Sequence, residues 1–242
     1  MTVQYRTRGF VFKKEDQNES DRVFSVFTED FGRVELKAKS IRKITSKLRA
    51  NIDLFYLSEI EFIQGRNNKT LTDAVRISRL NSEKVDFKKL KTAHRISDTL
   101  DSFIKGQEKD ERTFALINEV FTVLAGNGNE IKNHLFFFHY FFWNFMSSQG
   151  YRLEVNKCAT CQGEIKPYNI YFSATDGGII CQACFYRLKK GDKINSDVVK
   201  ILRIILKKDI KTLRRLRMGQ QSEKILQGAL EKSVYAFSPA HN

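Results

Sequence analysis

Apolar and polar positions alternate with a period of two along the first third of the chain. Arg22-Val-Phe-Ser-Val-Phe-Thr28 and Arg33-Val-Glu-Leu-Lys-Ala-Lys39 are both read with this period. In the second segment Val34, Leu36 and Ala38 fall on one face, and Arg33, Glu35, Lys37 and Lys39 on the other, as in a half-buried strand. Glu29-Asp-Phe-Gly32 between them reads as a hairpin turn, with Gly32 free to take a positive φ. Further strands are expected at Tyr5–Lys13, Leu54–Ile63 and Leu71–Arg79, the last two joined by a turn at Gly65–Asn68. Five short strands in residues 1–80 suit a small closed barrel, because closure removes exposed edges.

The period then changes to that of a helix. Leu90, Ala93, Ile96, Leu100 and Phe103 share one stripe, and Phe114, Ile117, Val120, Phe121 and Leu124 another. Gly126–Asn129 breaks the pattern. Leu135–Met146 follows, apolar on every side and rich in phenylalanine, and an all-round apolar helix belongs in a core. It is too short to cross a bilayer, which takes about 20 residues. Val198–Leu216 reads as one amphipathic basic helix, and Ile225–Phe237 as another. The fold class is α+β, with a barrel at 1–80 and a helical domain at 81–242.

Composition sharpens this outline. The chain has 242 residues and a net charge of +14. Charge of that size favours polyanionic partners without specifying a fold. It is unevenly placed: +5 over residues 1–80, zero over 81–150 and +9 over 151–242. The densest basic run of the barrel is Lys37, Lys39, Arg42, Lys43, Lys47 and Arg49, and acidic residues are absent from Ala38 to Asn51. These six are the candidate phosphate contacts, with Phe24, Phe27 and Phe31 as candidate stacking faces. Lys207, Lys208, Lys211, Arg214, Arg215 and Arg217 form a candidate second nucleic-acid surface. The N-terminus lacks an apolar stretch of signal-peptide length, so a cytoplasmic protein is expected.

Cys158-Ala-Thr-Cys161 and Cys181-Gln-Ala-Cys184 carry the sharpest chemistry. Two Cys-x2-Cys knuckles at this separation offer four thiolates to one tetrahedral Zn²⁺. Strand-like Tyr168–Ser173, a turn at Asp176–Gly178 and Ile179-Ile180 lie between them, which makes a zinc ribbon at about 151–190. Four protein ligands close the coordination shell, so the expected metal role is structural; iron would fit the same donors. Phosphate-loop, His-Glu-x-x-His, Gly-x-Ser-x-Gly and zinc-deaminase patterns are absent, and an enzyme is not expected. Asp98 and Asp101, three apart on a helix, read as a solvated face, and His94 as a surface or packing residue.

The order of parts resembles the RecO family of bacterial recombination and repair proteins. Glu19-Ser-Asp-Arg22, Phe27-Thr-Glu-Asp-Phe-Gly32 and the basic segment Ala38–Leu48 look like that family's early strands and loop, and Ser40 stands where the family often has glycine. The resemblance implies an N-terminal OB fold and a non-enzymatic mediator of DNA repair and recombination. Such a mediator binds single- and double-stranded DNA and anneals complementary strands. Its implied partners are RecR, RecF and the C-terminal tail of single-strand binding protein, and its implied place is the nucleoid. Some members lack the cysteines, which agrees with a structural metal. The residues alone leave two alternatives: an RNA-binding or transcription-associated OB/zinc-ribbon protein, and a metal-dependent nuclease built from scattered carboxylates.

Overall fold

The computed structural model describes residues 3–80, 86–126 and 134–237. Asn127–Asn129 of the expected helix break lie outside them. The chain divides into two compact units, residues 1–127 and 128–242.

The first unit opens with five strands, β1 (Gln4–Gln17), β2 (Asp21–Thr28), β3 (Gly32–Ala38), β4 (Tyr56–Gln64) and β5 (Lys69–Arg79). They close into a barrel in the order β1-β2-β3-β5-β4, with β4 returning to β1. All pairings are antiparallel except a short parallel seam, Leu36–Lys37 on β3 against Lys69–Thr70 on β5. The alternation read from the sequence sets the inside: Val11, Phe24, Val26, Val34, Leu36, Ile60, Phe62 and Leu71 form the barrel core. β1 runs past its expected end at Lys13 because Lys14–Gln17 go on pairing with β2, and its register shifts between Val11 and Lys13, where Phe12 is the extra residue. The bulge lets Phe10, Val11 and Phe12 all be buried.

Two helices belong to the same unit, α1 (Phe87–Phe103) and α2 (Glu111–Ala125). Asp86 and Asp110 cap them by accepting hydrogen bonds from the backbone N–H groups of Lys88 and Thr113. They cover the barrel's outer apolar residues. The Phe10 ring lies 4.0 Å from that of Phe121 on α2, and the Phe55 ring 4.9 Å from His94 on α1. Asp101 is not on a solvated face, as its spacing suggested. It pairs with Arg33 at 2.8 Å and Lys13 at 3.2 Å, and Arg33 also donates to the carbonyl of Ile104 at 2.8 Å.

The second unit is built on α3 (Leu135–Ser148), in which every residue from Phe136 to Met146 is buried. That is the core helix its composition demanded. Asn144 donates to the carbonyls of Tyr140 and Ile205, so the one amide in this apolar run is satisfied. A three-stranded sheet follows in the order β7-β6-β8: β6 (Ile170–Ser173), β7 (Gly178–Ile180) and β8 (Asp192–Ile194). The side chains of β6 alternate between its faces. Phe172 meets Trp143 of α3 edge-on at 6.0 Å, while Tyr171 lies under Phe185 of α4 (Gln182–Leu188). The expected helix over Val198–Leu216 is two helices, α5 (Ser196–Leu206) and α6 (Ile210–Arg215). Lys208 takes a left-handed φ of 58° between them, and Asp209 starts α6 by accepting from the Thr212 N–H and hydroxyl. A capping aspartate inside a helical pattern is a competing start signal, and here it wins. α7 (Gln220–Phe237) completes the unit.

Candidate metal centre and nucleic-acid interface

The two knuckles arrive from different kinds of backbone. Cys158-Ala-Thr-Cys161 is a tight turn, closed by Gln162 N–H to the Cys158 carbonyl at 2.8 Å and by Cys158 N–H to the Gly163 carbonyl at 2.9 Å. Gln162 has a φ of 59°, which turns the chain back. The second knuckle begins at Cys181, the residue before α4, and the first turn of that helix carries Cys184 to the same point. The turn and the sheet are tied by Ala159 N–H to the Ile179 carbonyl at 2.8 Å. Gly178 is demanded by close approach: a Cβ there would stand 2.2 Å from the Glu154 carbonyl oxygen.

The four sulfurs lie within 4.8 Å of one another, and Cys161 Sγ and Cys181 Sγ are 3.8 Å apart. A tetrahedral ion with metal–sulfur bonds of about 2.3 Å requires sulfur–sulfur edges of about 3.8 Å. None of the four is in a disulfide. The donor set therefore fits a four-thiolate metal site, with Cys158 and Cys184 buried, Cys181 partly so and Cys161 exposed.

The electrostatics point the same way. Burial, with the three neighbouring cysteines adding to it, pushes the Cys184 thiol up to about 12. Burial acts upward on Cys158 too, but backbone N–H groups of Cys161, Cys181 and Thr160 outweigh it and lower that thiol to about 6. A divalent cation would stabilise all four as thiolates, the form that binds it. Arg187, one turn into α4, approaches Cys184 Sγ at 3.7 Å and sets a positive charge beside the cluster.

The basic run of the barrel occupies the end of β3 and the connection over residues 39–55, which includes a short 3-10 helix at Lys47–Ala50. Buried Ile41 and Ile52, with partly buried Leu48, anchor this connection in the barrel core. Its start is tied to the β1–β2 turn by Arg42 N–H to the Ser20 carbonyl and Ser40 N–H to the Asp21 carboxylate. Ser40 takes a φ of 54°, so a left-handed residue is needed where glycine would serve. With the apolar residues turned in, Lys39, Arg42, Lys43, Lys47 and Arg49 are exposed. Lys37 is partly buried and pairs with Asp21 at 3.4 Å, and Arg42 with Asp16 at 3.5 Å. Among the described residues, Lys39, Lys43, Lys47 and Arg49 have no carboxylate within ion-pair distance.

Phe24 and Phe27 are not stacking faces. Both are fully buried, Phe24 inside the barrel and Phe27 opposite Phe10 in the β1–β2 register. Phe31 packs edge-on against Tyr5 and Phe62. Phe24 belongs to the barrel core, and Phe27 is covered because the barrel's outer face also carries helices. Arg76 went unnoticed in the sequence. Its guanidinium lies over the Tyr56 ring at 5.8 Å and donates to the Ala50 carbonyl, bracing β5 against the basic connection. In the second unit Lys207, Lys208, Lys211, Arg215 and Arg217 are spread around the α5–α6 break, and Arg214 is partly buried. No described helix is long and apolar enough to cross a membrane.

Two family models match the chain. One, described as Recombination protein O N terminal, covers residues 1–79, and the other, Recombination protein O C terminal, covers residues 85–234. Among curated relatives, a DNA repair protein RecO of Dehalococcoides mccartyi is 27% identical over 230 residues, covering 95% of this chain and 89% of the relative. The protein of the same name from Syntrophomonas wolfei is 25% identical over 226 residues, 93% of this chain and 88% of the relative. That of Alkaliphilus metalliredigens is 24% identical over 229 residues, 95% and 92%.

Proposed function

Because the chain belongs to the RecO family of DNA repair and recombination proteins, we propose that it is a non-enzymatic recombination mediator. In this reading it binds single- and double-stranded DNA, anneals complementary strands and, with RecR, loads recombinase onto DNA coated by single-strand binding protein. The tail of single-strand binding protein and RecF are its further proposed partners, and the nucleoid in the cytoplasm its place. The barrel, with five strands and a short parallel closure, is taken as an OB fold, the fold that pairs a positive groove with nucleic acid. The division proposed is a barrel module at 1–80 and a helical domain at 81–242 that carries the metal ribbon.

The observation that carries the DNA reading is the β3–β4 connection, where four cations stand outward without acidic partners among the described residues. Phosphate is the chemistry that fits, and Lys37, Lys39, Arg42, Lys43, Lys47 and Arg49 are the proposed contacts. Lys37 and Arg42 reach Asp21 and Asp16 in the free protein, so DNA competes there with an internal carboxylate. Lys207, Lys208, Lys211, Arg214, Arg215 and Arg217 are the proposed second surface. The metal is proposed to be Zn²⁺, held by Cys158, Cys161, Cys181 and Cys184 in a structural role. When bound it supplies a cross-link between the knuckle turn and α4; the chain's own residues make every contact to DNA.

The deciding experiment is annealing of complementary strands coated with their own single-strand binding protein. Accelerated annealing without ATP or nucleotide hydrolysis is expected. Cleavage of labelled DNA with Mg²⁺ or Mn²⁺, or a strong preference for RNA over a matched DNA strand, would overturn the reading.

A further inference from the structure

We propose that the metal ribbon carries its own stacking platform for single-stranded nucleic acid, formed by Tyr168 and Tyr186. The proposal rests on the DNA-binding reading above and adds a site apart from both basic segments.

The phenylalanines of α3 from Phe136 to Phe145 are buried, but four tyrosines of this unit are exposed: Tyr151, Tyr168, Tyr186 and Tyr235. Tyr151 stacks on Phe237 and Tyr235 lies on α7, whereas Tyr168 and Tyr186, at 65% and 63%, belong to the ribbon. An exposed ring offers its π face to a base. Their neighbours tie the two segments together. Tyr186 lies one helical turn after Gln182 on α4, so both project from the same side. Gln182 accepts a hydrogen bond from the side chain of Asn169 at 3.3 Å, and Asn169 directly follows Tyr168 with a left-handed φ of 58°.

The support beneath them is rigid. Phe185 stacks on Tyr171 of β6, with ring centroids 3.7 Å apart and planes 7° from parallel. Cys181 and Cys184 fix the first turn of α4 at the metal site. A ring held this way loses little entropy when a base stacks on it.

The charge around the rings selects the partner. Lys166 lies two residues before Tyr168, Lys189 closes α4, and Lys193 stands opposite Tyr171 in the β6–β8 register. All three are exposed, with no carboxylate in ion-pair distance among the described residues. Asp192 and Asp176 are occupied by Lys232 and Lys190. Glu164 is the acid left nearby. Rings for bases beside cations for phosphates are what an unstructured strand requires, independent of its sequence.

The test is anisotropy of labelled oligothymidylate with the full-length, metal-loaded protein across a salt series. Tyr168→Ala with Tyr186→Ala should weaken binding by about 5- to 100-fold for each ring removed. The slope of log affinity against log salt should stay unchanged, because stacking releases no counterions. Phe at both positions should bind as wild type. Lys166→Ala with Lys189→Ala should instead reduce the slope, by about 0.7 for each phosphate of a single strand that is no longer neutralised. If the alanine variant loses metal, Leu at both positions replaces it, keeping bulk without a π face. Wild-type affinity in the metal-loaded Ala or Leu variant would overturn the platform and leave the DNA reading standing. A slope that falls along with affinity would also overturn it, since the tyrosines would then act through the lysines. A wild-type protein that binds no oligonucleotide would overturn both.

Discussion

Asp101 holds two cations at once, and neither pairing follows from its place three residues after Asp98. Burial acts to raise its pKa, and hydrogen bonds from Lys13 and Arg33 overcome that and hold it below the ordinary carboxylate range. A carboxylate depressed in the folded state stabilises fully above its unfolded value and loses that stabilisation as pH falls through the folded one. Asp101→Asn should therefore cost about 1–3 kcal/mol at pH 7, and the gap to wild type should close as pH drops below about 4. Denaturant melts at the two pH values check this; an equal gap at both would mean the charge is not what matters. Gly32 shows the opposite degree of legibility. The hairpin signal asked for a positive φ there, and the structure has 63°. It could not announce that a Cβ would also stand 2.0 Å from the carbonyl oxygen of Glu108, because that neighbour comes from a loop 76 positions on. Patterning says which way a side chain faces; what meets it is decided by tertiary structure.

Strands, the paired knuckles and the buried aromatic helix were legible because one period or one spacing governs each. β2 and β3 fall within a residue of their expected bounds. β8 was missed, since Asp192-Lys-Ile194 is too short for any period to register. The break between α5 and α6 was missed because the apolar stripe continues across it, and only Asp209 and the left-handed Lys208 reveal it. The cysteines were readable as a set, but their unequal burial was not. That inequality bears on metal removal. Cys161 is exposed while Cys158 and Cys184 are buried, so a chelator meets the cluster from the Cys161 side. Chelation should release about one metal per chain and lower the melting temperature by more than about 5 °C. Added zinc should restore it. Acid should act as the chelator does, because the ligands must be deprotonated to bind. A melting temperature unmoved by complete metal loss would exclude the structural role.

The positive charge of the whole molecule divides along its compact units. Residues 1–127 hold 24 basic and 19 acidic side chains, and residues 128–242 hold 18 and nine. Each unit is basic on its own, which would suit the strand annealing proposed above. Charge reversal at Lys39, Lys43 and Lys47 should weaken single-strand binding by about 10-fold or more at moderate salt, and flatten its salt dependence. Reversal at Lys88, exposed on α1, should do neither. Equal effects at both would move the interface off the β3–β4 connection. The chain also contains an optical reporter. Trp143 is its single tryptophan, 1% exposed, and it touches the ribbon sheet through Phe172. Light excited at the indole band therefore comes from one point in the core, directly behind the sheet of the cysteine-cluster ribbon. Stripping the metal should shift that emission to the red as water reaches the ring. Oligonucleotide binding at the proposed surfaces, whose side chains are exposed while Trp143 is buried, should leave the colour unchanged. The indole colour then reports ribbon integrity alone, while the anisotropy of a labelled oligonucleotide follows occupancy in the same cuvette.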